Sequence, residues 1–226
     1  MIDIKNLCFS YTKSSDYILN NINIKIEDGT YTSIIGENGC GKSTLVKLIL
    51  KLLSPSSGTI EINSKSIGYV PQVMENFNFG FPITVFEILN CHMKTLHLKN
   101  LNIINNSLLS VGMLDLKNSL IGDLSGGQRQ KVFIARALIG NPDTIIMDEP
   151  STGIDVKSQN DIYSTLQHLN RNNNVTIISV EHNLKAAYSY STHILKLNNG
   201  NGILLRTSDF LHSNLEVMQN DSNFSS

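Results

Sequence analysis

The residues best equipped for chemistry fall in a few short stretches. Gly36-Glu37-Asn38-Gly39-Cys40-Gly41-Lys42-Ser43-Thr44 satisfies GxxxxGK(S/T), a pattern whose glycines let successive backbone N–H groups face one concavity. With the positive end of a following helix dipole, that concavity is an anion site. Lys42 adds a mobile charge for β and γ phosphates, the Ser43 hydroxyl can ligate Mg²⁺, and Thr44 can bond a phosphate oxygen. The ligand implied is a nucleoside triphosphate. Farther along, Asp148-Glu149 closes the apolar run Ile145-Ile-Met147. Asp148 there can hold Mg²⁺ through water, and Glu149 can polarise an attacking water as general base. Leu124-Ser125-Gly126-Gly127-Gln128 precedes a helix-compatible segment, which makes a second anion-binding end in the same chain. Glu181-His182 follows the apolar run 175–180, placing functional groups at that run's carboxyl end.

Elements are expected where these groups need them. Ile2 and Ile4, then Ile22, Ile24 and Ile26, alternate with polar residues, and Asp28-Gly29 supplies a turn before the strand 31–35. The phosphate loop therefore lies between a strand and a leucine-rich helix, the context that makes the motif credible. Ser54-Pro-Ser-Ser-Gly58 is expected to stop that helix, and strand resumes over 59–63. From about Val73 to Leu120 the alternation yields to helix-compatible segments with Asn-rich joints, read as an inserted helical lobe. The runs 144–147 and 175–180 read as buried parallel strands with functional groups at their carboxyl ends. Asn172-Asn-Asn174 reads as a solvated loop. Residues 213–226 form a polar tail that need not be ordered.

The 226 residues carry a net charge of -1, 41% hydrophobic and 16% charged residues. This argues for one folded domain with a lobe and against a chain-wide field for nucleic acid or anionic lipid. Cys8, Cys40 and Cys91 form no CxxC pair and leave an odd thiol, which suits a reducing compartment. The start lacks the order of a secretion signal, and no apolar run reaches the roughly 18 residues that span a bilayer. A cytoplasmic chain is expected, with any membrane role borrowed from a partner. His92 and His97 are five residues apart, a spacing that does not align them on one helix face, so no zinc site is read there.

The order of these landmarks resembles the nucleotide-binding subunits of ABC transporters up to about residue 205. The resemblance implies an α/β P-loop NTPase (RecA-like) core with an N-terminal antiparallel β subdomain and an inserted α-helical subdomain. It implies one ABC ATPase domain over 1–226, with the nucleotide-binding core at 1–74 and 140–212 and the helical subdomain at 75–139. Tyr11 stands where the family stacks adenine; Gly36 to Thr44 is the phosphate loop. Gln72, after Tyr69-Val-Pro71, is the Q-loop residue that ligates Mg²⁺ with Ser43 and Asp148 and reports the γ-phosphate to the lobe. Ser125 to Gln128 and the D-loop Asp155 contact the nucleotide of a second, head-to-tail copy; Glu149 and His182 are catalytic. Two departures stand out: Glu181 and Asn183 flank His182 where many relatives have a small residue and Asp, and Gly153 replaces a frequent Ala.

The implied function is ATP binding and hydrolysis powering an integral-membrane permease, by a homodimer on the inner face of the cell membrane. The segment Asn78 to Ile88 is similar to the ATPases of zinc, manganese or iron importers, whose systems include an extracytoplasmic substrate-binding protein. Alternatives are an ATPase for iron-siderophore or cobalamin, or a non-transport ABC ATPase. Repair members need a long coiled coil, and translation members two ATPase units, neither of which this chain shows. A non-catalytic sensor is disfavoured by the presence of both Glu149 and His182. Phe77, Phe79, Phe81 and Phe86 cluster after Gln72, and part of this group is expected to form a groove for a permease helix. Because Cys40 sits inside the phosphate loop, alkylating reagents should inactivate the chain and ATP should protect it. Mass spectrometry of labelled Cys40 alongside ATPase assay checks this, and activity that survives full Cys40 labelling sinks it.

Overall fold

The computed structural model describes residues 1–12, 16–72 and 80–210. Strand β1 (Ile2–Phe9), β2 (Leu19–Ile26) and β3 (Tyr31–Ile35) lead into α1 (Lys42–Ile49) and β4 (Ser57–Ile62). Next come β5 (Ile67–Val70), α2 (Val85–Thr95), α3 (Asn102–Ser110), α4 (Gly126–Leu138), β6 (Thr144–Asp148), α5 (Val156–Asn173) and β7 (Thr176–Val180). The last are α6 (Leu184–Tyr190), β8 (His193–Asn198) and β9 (Asn201–Arg206), with short 3-10 turns at Leu114–Leu116 and Ile121–Asp123. The chain forms two compact units: residues 1–63 with the chain from Val180 onward, and Ser64–Ser179.

In the first unit, β1 lies between β2 and β4, antiparallel to both. The isoleucines expected to alternate do so: Ile2 pairs with Ile26 and Ile4 with Ile24, all buried. The register slips after Ile4, where Asn6 takes φ 49° and its N–H bonds Asn23 Oδ1 at 2.9 Å, a bulge built from the residue that best tolerates a left-handed backbone after glycine. Strand β8 lies between β3, its parallel neighbour, and β9, its antiparallel neighbour. Strand β3 is buried along its whole length, which explains an unalternating run. Ile35, Ile194, Ala187 and Phe210 form a cluster at this end of the unit.

Helix α1 stops sooner than Ser54-Pro55 suggested. Lys51 takes φ 57°, its N–H bonds Leu48 O at 3.0 Å, and Leu52 N–H bonds Lys47 O at 2.9 Å. This pair of bonds is a Schellman closure, which satisfies the last carbonyls without proline.

In the second unit, β6 lies between β5 and β7 and runs parallel to β5, with Gly68 opposite Ile145. Helices α2 and α3 fall within the stretch read from sequence as helix-compatible; residues 73–79, including Phe77 and Phe79, lie outside the described residues, as does the polar tail. Helix α2 starts at a capping box in which Thr84 and Glu87 exchange hydrogen bonds. Those bonds, backbone first, hold the Glu87 carboxyl below the usual carboxylate range. Helix α4 packs on α2, α3 and α5, and its Val132, Phe133 and Ile134 are buried. The Asn172-Asn-Asn174 stretch corrects the loop reading: Asn172 and Asn173 finish α5, and Asn174 caps it at φ 53°, again using asparagine's tolerance of the left-handed region. No helix among the described residues is long and apolar enough to cross a membrane.

Candidate active site

The phosphate-loop stretch belongs to the first unit. Gly39 and Gly41 take φ 82° and 102°, values that a side chain would resist and that turn the loop back on itself. Gly41 is the N-cap of α1, no side chain caps the helix, and its first turn has no acid. The positive helix end is therefore presented unneutralised by its own residues. The Lys42 side chain is buried and its ammonium donates to Gly36 O at 2.8 Å and Glu37 O at 3.0 Å. Two charge-assisted bonds offset the desolvation of that cation. Glu37, Asn38 and Gly39 expose the loop tip, while Thr44 is buried and Ser43 and Cys40 are half-buried.

Tyr11 is tied to this loop. Its hydroxyl lies 3.2 Å from Thr44 Oγ1, its ring meets Phe9 edge-on at 4.9 Å, and it stays 57% exposed. That geometry fixes the ring while leaving a face for a planar partner. His182 is exposed. The preceding Glu181 N–H bonds Ile34 O at 2.9 Å, two residues before Gly36, which anchors the histidine's segment to the strand that feeds the phosphate loop. Asn183 Oδ1 accepts from Ala186 N–H at 3.1 Å as the N-cap of α6. The departure from Asp thus keeps the capping function, since Asn and Asp cap equally well.

The acids belong to the second unit. Asp148 ends β6 and is 6% exposed. Burial first, and Asp148's charge second, push the Tyr69 hydroxyl up from its ordinary range. At Glu149 the backbone turns to φ 52°, a left-handed conformation that disfavours a glutamate by about 1–2 kcal/mol. The bent residue is tied by its side chain: Glu149 Oε2 accepts from Gln72 Nε2 at 2.9 Å and from Thr152 Oγ1 at 3.1 Å. Gln72 and Glu149, assigned from distant parts of the sequence, are thus brought into direct contact. Thr152 opens the D-loop stretch 152–155, which the family resemblance picks out without giving this residue a role of its own; here its hydroxyl holds the acid. Gly153 takes φ 73° with open space around it, so glycine at this departure serves the backbone turn.

The stretch read from sequence as a second anion-binding end forms a capping box. Ser125 Oγ accepts from Gln128 N–H at 3.3 Å, and Gln128 Oε1 accepts from Ser125 N–H at 2.9 Å. The two glycines that follow differ. A Cβ on Gly126 would meet only Ile154 at 4.0 Å, whereas one on Gly127 would stand 2.5 Å from Ser158 Cβ. Gly127 is where α4 approaches α5, and Gly126 is an exposed surface. Asp155 caps α5, accepting from Ser158 N–H at 3.0 Å. Those hydrogen bonds hold its carboxyl below the ordinary carboxylate range. Of the phenylalanines expected at a groove, Phe81 is 60% exposed and Phe86 lies half-buried with Lys117 Nζ 4.8 Å above its ring. His97, at φ 55°, follows the end of the helix that carries His92, and no group of three or more metal-ligating side chains occurs among the described residues.

The family signature described as ABC transporter matches residues 19–152, which spans the phosphate loop, Gln72, the Ser125 box and Glu149. The chain belongs to the ABC transporter family. It is an ATP-binding, ATP-hydrolysing subunit with the α/β P-loop NTPase fold expected. A Treponema pallidum protein named "Probable metal transport system ATP-binding protein" is 45% identical over 97% of this chain and 92% of its own length. The high-affinity zinc uptake system ATP-binding protein ZnuC of Bacillus subtilis is 36% identical over 88% of this chain and 92% of its own. Among solved structures, an ATP-binding cassette captured as a dimer in a post-hydrolysis state with ADP and Pi superposes with a TM-score of 0.73. It shares 26% identity and covers 92% of this chain and 99% of that one.

The unequal surroundings of the ABC signature glycines give a test. Gly127→Ala should destabilise the chain by about 1–3 kcal/mol through overpacking. Gly126→Ala should be neutral or slightly stabilising, because alanine is the better helix former. Urea melts of both variants check this; equal destabilisation would refute the difference in packing.

Proposed function

We propose that this chain drives import of a divalent metal ion, zinc, manganese or iron, through a partner permease. In this reading a homodimer sits on the cytoplasmic face of the membrane and an extracytoplasmic binding protein delivers the cargo. The observation that carries the cargo assignment is near-full-length similarity to metal and zinc transport ATPases, at 45% and 36% identity. The dimeric form of the similar cassette supports the pairing.

The assigned roles follow from the chemistry of each group. Tyr11 stacks the base, as any π-face can, and the amides of 36–44 with Lys42 take up the phosphates. Ser43, Asp148 and Gln72 offer a hydroxyl, a carboxylate and an amide oxygen, hard donors suited to Mg²⁺. Asp148, buried at the end of β6, offers a carboxylate that fits a cation site. Bound Mg²⁺ would neutralise charge on the β and γ phosphates. Glu149 removes the proton of the attacking water, with His182 at the γ-phosphate. Gln72, bonded to that same carboxylate, connects the acid to the lobe at which Phe81 is exposed. Ser125, Gly126, Gly127, Gln128 and Asp155 face the nucleotide of the second copy. Because Gly126 is exposed and unpacked, loss of turnover in a stable Gly126→Ala variant would support that trans contact.

Glu149→Gln keeps the side chain's shape and removes its basicity, so turnover should fall about 10²–10⁴-fold. ATP should then hold the variant as a dimer, doubling its mass by light scattering; wild-type turnover would overturn the assignment of the base. For the cargo, cells lacking the chain should lose uptake of radiolabelled zinc, manganese or iron and should grow poorly under chelation. Unchanged metal uptake with lost uptake of a siderophore complex or cobalamin would reassign it.

A further inference from the structure

Glu149 occupies a backbone conformation that glutamate disfavours, and such a residue persists only where its surroundings over-determine it. Its own carboxylate bonds do part of this. The rest of the loop, up to Asp155, is held from α5. Gln159 Nε2 donates to Ser151 O at 3.1 Å and to Ile154 O at 2.9 Å, so a single amide ties down two carbonyls of the turn. Tyr163, one helical turn farther on and fully buried, shares a 2.7 Å hydrogen bond between its hydroxyl and Ser151 Oγ. The loop also closes on itself through Thr152 N–H to Glu149 O and Ile154 N–H to Ser151 O, each at 3.3 Å. These two backbone bonds are long, which leaves the turn dependent on the side chains that grip it from outside.

We propose that Gln159 is a positioning residue for ATP hydrolysis: its amide clamps the loop between Glu149 and Asp155, keeping the bent glutamate aimed and the D-loop acid at a set distance along the chain. The inference rests on the assignment of Glu149 as the base. Gln159 acts through the two carbonyls that its amide holds. Without the clamp the turn relaxes toward ordinary backbone angles, and displacement of a reacting group by about 1 Å can slow a reaction about a hundred-fold. Tyr163 supports the same loop by a separate bond.

The test uses the full chain with MgATP. Gln159→Met fills the same space without donors, and Gln159→Lys restores donors able to reach two carbonyls, as Lys42 does at the phosphate loop. The expected result is a fall in kcat of about ten-fold or more for Gln159→Met, with KM changed by less than about three-fold, and recovery of most of the loss in Gln159→Lys. Hydrogen exchange of the 151–155 amides should quicken in Gln159→Met and return toward wild type in Gln159→Lys. A kcat within about two-fold of wild type in Gln159→Met, or a lysine variant no better than the methionine one, overturns the clamp. Should Gln159→Met fail to fold, Tyr163→Phe removes only the other bond to Ser151: slower turnover with quicker exchange at 151–155 supports the clamped loop, and no change in either overturns it. Glu149→Gln is run alongside. Wild-type turnover there removes the base assignment and the clamp with it, whereas slow Glu149→Gln beside fast Gln159→Met removes the clamp alone.

Discussion

The bend that turns Glu149 out of its strand is the constraint on which the surrounding contacts depend. Strand β6 is buried along its length through Asp148, so its backbone direction is set by packing. Glu149 then leaves the strand at φ 52°, a conformation with an intrinsic penalty. Its carboxylate is bonded to Gln72 from the end of β5 and to Thr152 from the turn that follows. The local strain and the contacts that resist it belong together: without the bend the acid would continue the strand, and without the bonds the bend would relax.

Helix starts are the other recurring device, and they are not interchangeable. Helix α1 begins at Gly41 with no side-chain cap and no acid in its first turn, so its exposed donors and dipole suit an anionic ligand. Helices α4, α5 and α6 begin at Ser125, Asp155 and Asn183, each of which already accepts a bond from its own helix. In these three, residues that family resemblance assigns to nucleotide contact, or that adjoin such residues, also stabilise local structure. Substituting them therefore perturbs two properties together, and Gly126, which packs against almost nothing, is the cleaner probe of the surface.

Helix α5 ties several of these parts to one rigid element. Its N-cap is Asp155, its Ser158 fills the space that Gly127 leaves open, and its Gln159 and Tyr163 hold the turn after Glu149. A length of 18 residues with Ile162, Tyr163, Leu166 and Leu169 buried gives the helix an anchor well beyond its functional end. Rigid elements that carry sites hold them more tightly than loops can.

Much of this was legible in the sequence because short motifs specify local backbone geometry. The glycines and Lys42 of 36–44, the strand-to-helix context and the Ser125 and Asp148-Glu149 stretches are readable from residue types at fixed spacing. Alternating isoleucines gave the antiparallel sheet for the same reason, since a period of two dictates which face is buried. The readings that failed were at element ends: the early stop of α1 and the helical Asn172 and Asn173. There the outcome depends on which residue adopts a left-handed angle, and composition alone does not select it. By itself the sequence determined which groups are available and the elements that bear them. Tertiary structure alone decided that Gln72 meets Glu149, that Gly127 rather than Gly126 must be glycine for packing, and that Gln159 and Tyr163 grip the Glu149 turn. Those contacts join residues whose separation along the chain follows no repeat, and they exist only after the strands and helices have packed.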